Sequence, residues 1–182
     1  EEEKVEKYNK YSDPEKVIIP DNYTDISGHW AESIIKIMQN NNIGYSSTEF
    51  KPNNALTFES LFELMGAKVT EEQFSEFINE FKDLDEPFTF INKETQLTDV
   101  ISRENFVTLM IKVGTYNYEK IIDKTDYFKT NYIDESSITK SKIGYISIAR
   151  MLGYLSGDTF RPQDSITRAE ALAYLYKVYT NL

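Results

Sequence analysis

Six segments of the chain place apolar residues at i, i+3, i+4 and i+7. They are Ala31/Ile34/Ile35/Met38, Phe58/Leu61/Phe62/Met65, Phe74/Phe77/Ile78/Phe81, Phe106/Leu109/Met110/Val113, Tyr145/Ile148/Ala149/Leu152 and Leu172/Leu175/Tyr176/Tyr179. That spacing is one face of an α-helix. No segment alternates convincingly as a half-buried strand does, so the pattern predicts an all-α fold. Each helix would run about three turns, too short to stand alone in water, so the six must share one core. Two stretches fall outside the pattern. Residues 1–21 are charged from Glu1 to Lys10 and carry Pro20 near their end. They read as a leader: a disordered tail, a frayed helix or a strap on the domain. Asp85 to Asp99 reads as an irregular loop with a short extended piece at Phe88-Thr-Phe-Ile91.

The helices come in pairs that resemble one another. In the first pair, Asp25 and Gly28-His29-Trp30 precede a helix, Phe50-Lys-Pro52 forms a turn, and Leu56-Thr57 opens the second helix. In the last pair, Asp134 leads a helix ending near Gly153. Gly157-Asp-Thr-Phe-Arg-Pro162 then forms the turn, and Ile166-Thr167 opens the final helix. Asp25 stands 32 residues before Thr57, and Asp134 stands 33 before Thr167. Phe50 to Thr57 and Phe160 to Thr167 are both seven. The middle pair keeps only its length and its helix starts at Thr70 and Ser102. Repeats are therefore expected at 22–68, 69–125 and 126–182.

Ile166-Thr-Arg-Ala-Glu170 is the best-formed motif. Thr167 caps the helix and Glu170 reaches back to the cap amide, a capping box. Ser102 and Thr57 keep the cap, but Asn105 and Ser60 replace the Glu, so the full box is expected once. Arg168 sits at the first helical position, where a cation faces the positive end of the helix dipole. Arg103 holds the same position in the middle repeat, and Phe58 in the first. Arginine is scarce, at four residues against 16 lysines, so two arginines at a disfavoured position call for an explanation. One is a carboxylate or phosphate bound by the helix amides and the guanidinium fork. The other is a structural salt bridge to Asp134, Asp164 or a neighbouring repeat.

Gly28-His29-Trp30 places the only His beside the only Trp. A lone His is a poor metal ligand. Trp30 reads either as core or as the apolar wall of a sugar site. Asp25 and Ser27 compete to cap the helix that follows. Asp83-Leu-Asp85 with Glu94 mimics a calcium loop, but Phe88 stands where that loop needs Gly and Pro87 where it needs a ligand. No catalytic motif appears, so neither an enzyme nor a cofactor is expected.

Composition narrows the reading further. The net charge is −10, from 20 basic and 30 acidic residues, which argues against nucleic acid as partner. No stretch of about 18 apolar residues exists to cross a bilayer. Cys is absent, which removes disulfides and thiolate chemistry. The acidic start is the opposite of a signal peptide's basic region, so no signal peptide is expected within this chain.

Asp25-x-x-Gly28-His29-Trp30-Ala31, the Phe-x-Pro turns and Ile166-Thr167-Arg168-Ala169-Glu170 together resemble the repeat of the S-layer homology (SLH) family. The resemblance covers about 22–182. It implies three repeats in a pseudo-threefold, all-helical spindle around a shared core, with grooves between repeats. It also implies noncovalent anchoring of exported proteins to the secondary cell-wall polysaccharide of Gram-positive and related bacteria, at the cell surface. The epitope implied is a sugar bearing a pyruvate ketal, an anionic ligand. The family's Arg maps onto Arg168 and Arg103, its Asp onto Asp25 and Asp134, and its Trp onto Trp30. Gly153 and Gly157 fall in the turn that lets backbone approach a ligand. With the caps Thr167, Glu170 and Ser102, these form the candidate ligand-binding set. The sequence departs from the family at Phe58, at the missing Gly-His-Trp of the middle repeat, and at Lys142-Ile-Gly144 where Trp is usual. One working groove is expected, at most two. The alternative is a degenerate copy that makes protein–protein contacts within a surface layer.

Overall fold

The computed structural model describes residues 15–114 and 129–180. Residues 1–14 of the leader and the expected repeat boundary at 125/126 lie outside the described residues. The six expected helices are present: α1 (Glu32–Asn40), α2 (Phe58–Leu64), α3 (Glu71–Phe81), α4 (Arg103–Val113), α5 (Ile143–Met151) and α6 (Arg168–Thr180). Two 3-10 turns, Glu135–Ser137 and Lys140–Lys142, lead into α5. The fold is predominantly helical, and no described helix is long and apolar enough to cross a membrane.

Two local expectations fail. Phe88–Ile91 is not extended: Phe88 N–H donates to Asp85 C=O and Ile91 N–H to Phe88 C=O, winding the segment into turns. Phe88 and Ile91 are buried by that winding rather than by sheet pairing. A small antiparallel sheet also exists, β1 (Glu15–Lys16) on β2 (Ala67–Lys68). Two-residue strands carry no readable periodicity. Through β1, the end of the leader straps onto the domain.

Capping is more complete than expected. Thr57 N–H donates to Ser60 Oγ at 2.8 Å and Ser60 N–H returns to Thr57 Oγ1 at 3.2 Å, so Ser completes the box that Glu completes in α6. Thr70 and Gln73 form a third box on α3. Only the Ser102 cap lacks its return bond among these, because the Asn105 side chain accepts from Lys142 Nζ instead.

The core is organised around three residues that immediately precede the caps. Leu56 N–H donates to Ile166 C=O (2.8 Å), Ile166 N–H to Ile101 C=O (3.1 Å), and Ile101 N–H to Leu56 C=O (3.0 Å). The three bonds close a ring at the centre of the molecule, and all three side chains are buried. Buried backbone groups must be paired, and here each third of the chain satisfies another. The helices follow the same order. α1 packs on α6 and α5 on α4. α3 stacks its rings on α2, with Phe58–Phe74 at 5.6 Å and Phe62–Phe77 at 5.2 Å. The first helix of each sequence pair thus lies against the second helix of a different pair. No single pair holds a core of its own.

Candidate functional site

The site is built from two equivalent turns. Asp25 does not cap α1; its carboxylate accepts the amides of Phe50 (2.8 Å) and Lys51 (2.7 Å). Asp134 does the same for Phe160 (2.8 Å) and Arg161 (2.6 Å). Lys51 and Arg161 are left-handed, at φ 56° and 55°. A non-glycine residue there costs roughly 1–2 kcal/mol, which the paired Asp acceptors offset. Burial pushes the Asp134 carboxyl up, but the two amides outweigh it and hold it below its ordinary value.

Each turn buries its Phe and points its carbonyls at a neighbouring helix. Arg168 N–H donates to Asn54 C=O and Ala169 N–H to Pro52 C=O. Arg103 N–H donates to Asp164 C=O and Glu104 N–H to Pro162 C=O. On α2 the corresponding amides of Phe58 and Glu59 reach Asp99 C=O and Leu97 C=O. The helix-terminal amides that sequence reasoning left open to an anion are therefore filled by carbonyls. The arginines follow the amides. Arg168 Nη1 donates to Phe50 C=O at 3.2 Å, and its guanidinium lies 4.3 Å from the Tyr45 ring centre. Arg103 Nε donates to Phe160 C=O at 2.6 Å, and its Nη1 lies 2.8 Å from Glu170 Oε1. Carbonyls answer both cations at their N-terminal positions, and Arg103 gains a carboxylate besides.

Arg103 lines a groove of about 250 Å³ to which all three thirds of the chain contribute. Trp30 and Ile34 come from the start of α1, Arg103 and Val107 from α4, and Tyr132, Tyr154 and Phe160 from the last third. One face of α6, with Glu170, Ala173, Tyr174 and Lys177, forms a wall. Trp30 is not core. It is 62% exposed, the state a stacking surface needs. Arg103 lies deep, its side chain 14% exposed.

The groove is cationic despite the acidic chain. Glu170 Oε2 accepts from Thr167 in the capping box, while Oε1 meets Arg103 and Arg161. One carboxylate thus faces two guanidiniums, with Lys177 nearby. Burial pushes Glu170 up, but the Thr167 amide and the two arginines overcome this and hold it below the usual carboxylate range. Burial pulls Arg103 down from its ordinary value, against Glu170. Arginine nevertheless stays charged. Arg150 stacks on Tyr132 at 4.0 Å. Arg150 over Tyr132 and Arg103 over Phe160, 5.5 Å from its ring centre, thus flank the Tyr132–Phe160 stack.

The remaining candidates are scattered. Thr167 and Ser102 act as caps. Gly153 (φ 78°) and Gly157 (φ 92°) bracket the groove-lining residues 154–156. Asp25 and Gly28 line a separate open depression of about 490 Å³, where His29 Nε2 lies 3.1 Å from Asn53 Oδ1. Arg168 lines neither cavity. Sequence reasoning missed Tyr132, Tyr154, Phe160, Tyr174, Arg161 and Lys177. The scarcity of Arg could have pointed to Arg161, but nothing in spacing marks the tyrosines. Among the described residues no group of His, Cys, Asp and Glu is placed to hold a metal ion.

The S-layer homology domain family matches the chain at residues 22–61 and 132–172. Two curated relatives are each 23% identical over 85% of this chain: an amylopullulanase of Thermoanaerobacterium thermosulfurigenes and the exoglucanase XynX of Acetivibrio thermocellus. The alignments span 9% and 16% of those relatives' own lengths. No solved structure matches the chain.

Proposed function

The chain belongs to the S-layer homology family, whose domain is a non-catalytic module attaching surface proteins to the cell wall, and from that premise we propose that this chain binds wall polysaccharide in the groove between Trp30 and Arg103. The ligand is an anionic secondary cell-wall polysaccharide. Its acidic sugar, of the pyruvate-ketal type, sets a fixed carboxylate beside an apolar ring face. The observation that carries this reading is the pairing of an exposed Trp30 with a deep Arg103 in one aromatic-walled groove. Sugar faces stack on aromatic rings, and a guanidinium donates charge-assisted hydrogen bonds to a carboxylate. The net charge of −10 is screened within roughly 8–10 Å at physiological salt, so local geometry governs recognition.

The chain is organised as three repeats, 22–68, 69–125 and 126–182, and the three-bond ring of Leu56, Ile101 and Ile166 supports that division. Only one groove works. The Arg168 position serves as a clamp between the last and first thirds, and the third position carries Phe58 instead of Arg. Any catalytic activity of the whole protein belongs to other parts of it, as the small share of the relatives' lengths suggests.

Co-sedimentation with Gram-positive sacculi tests the reading, with intact walls, with walls stripped of secondary polysaccharide, and with Trp30→Ala. Binding lost on stripping and on substitution supports it. Failure to bind walls from several species with pyruvylated polysaccharide sinks it, and leaves contacts with surface-layer protein as the module's job.

A further inference from the structure

α6 presents Glu170, Ala173, Tyr174 and Lys177 to the same groove. These are positions i, i+3, i+4 and i+7, one helix face. Glu170 and Lys177 are thus two turns apart, about 10 Å along the axis. Arg103 is fixed at the Glu170 level by its 2.8 Å contact. Lys177 marks the far end. Its ammonium has a hydroxyl partner, Ser156 Oγ at 3.3 Å. Among the described residues no carboxylate lies within 4.0 Å of it. Arg103 is answered by Glu170, whereas half-buried Lys177 has no counter-ion among the described residues. Between the two cations the walls are Tyr154, Ala173 and Tyr174, apolar surface suited to sugar faces. That rise along the helix backbone exceeds one pyranose ring and suits two linked ones.

Resting on the wall-anchoring reading, we infer that the groove takes two consecutive sugars bearing two anionic groups, the first met at Arg103 and the second by Lys177 with the Ser156 hydroxyl. The module thereby selects a doubly charged stretch of polymer over a single acidic sugar on a neutral chain.

The test measures half-saturation of binding to intact Gram-positive sacculi at low and high NaCl, for the unaltered protein, Trp30→Ala, Lys177→Gln and Lys177→Arg. Losing one ion pair at a partly exposed site should weaken Lys177→Gln about fivefold at low salt. The gap should close as salt rises, and Lys177→Arg should restore binding. Thermal unfolding of Lys177→Gln should match the unaltered protein, which separates lost recognition from lost folding. If Trp30→Ala loses binding while Lys177→Gln binds like the unaltered protein at every salt, the second anionic group is refuted and wall anchoring stands. If the unaltered protein binds no walls, both fall.

Discussion

Arg103 at the start of α4 and Glu170 in the first turn of α6 form the 2.8 Å ion pair that joins the middle of the chain to its end. The same carboxylate completes the Thr167 capping box and meets Arg161. These tasks separate by substitution. Glu170→Gln keeps an acceptor for the box but leaves Arg103 without its counter-charge. With Glu170 about a quarter exposed, solvent screens part of the loss, so the expected cost is about 1–2 kcal/mol. Glu170→Ala also removes the return bond and should cost about 1 kcal/mol more. Urea midpoints of the two variants should fall in that order.

Arg168 should behave as a clamp. It holds Phe50 C=O and the Tyr45 face, and its helix amides are already satisfied. Arg168→Ala should lower stability by about 1–3 kcal/mol while the folded fraction still sediments with walls. Wall binding abolished in a variant with an unchanged melting temperature would contradict this assignment.

Trp30→Ala should do the reverse. The ring is 62% exposed, so truncation removes little core and the melting temperature should move by only a few degrees. Wall binding should fall about tenfold or more, as for a stacking anchor worth about 1.5 kcal/mol or more. Equal losses of both properties would return Trp30 to a packing role.

The helices were legible because each carries a full apolar stripe, and four of the six also open on a Ser or Thr cap, as α6 does with Thr167. Their pairing was not. Apolar spacing puts all six helices in one core without saying which of them touch; α1 lies on α6 and α3 on α2. The bonds that impose this order run between backbone groups of Leu56, Ile101 and Ile166, and backbone donors leave no mark on residue choice. The site was half legible. Arg103 and Trp30 stand out by rarity and position, so they could be named. Lys177 and Tyr154 are common residue types here, and only the fold brings them to the groove. Asp25 reads in the sequence as a rival of Ser27 for the α1 cap, whereas its carboxylate holds a turn; the two jobs look alike in sequence.

The two Asp-held turns predict their own effects. Asp134→Ala orphans the amides of Phe160 and Arg161 and frees a left-handed residue to relax. A loss of about 1–3 kcal/mol is expected. Because that turn carries Phe160 and Arg161 beside the groove, wall binding should weaken as well. Asp25→Ala should cost a similar amount of stability and leave binding near normal, since neither Phe50 nor Lys51 lines the groove. A double measurement of melting temperature and sedimentation on both variants checks the contrast.

Acid should weaken the fold through its partnered carboxylates. Glu170, Glu104, Asp134 and Glu135 are all held below their ordinary values. For Glu104, burial raises the carboxyl, but the Thr139 amide, the Lys142 ammonium 2.9 Å away and the Thr139 hydroxyl together outweigh it. For Glu135, the Thr130 hydroxyl leads. A depressed folded value means the native state binds fewer protons than the unfolded chain. The stability this confers is therefore complete above the unfolded values, 4.5 for Glu and 3.8 for Asp. It is lost as pH falls through the folded ones. The melting temperature should be level from neutral pH to about pH 5 and drop below it. Glu104→Gln should flatten that drop while starting from a lower plateau, because Lys142 remains buried without its partner. A melting temperature that rises between pH 5 and 3 would overturn the assignment.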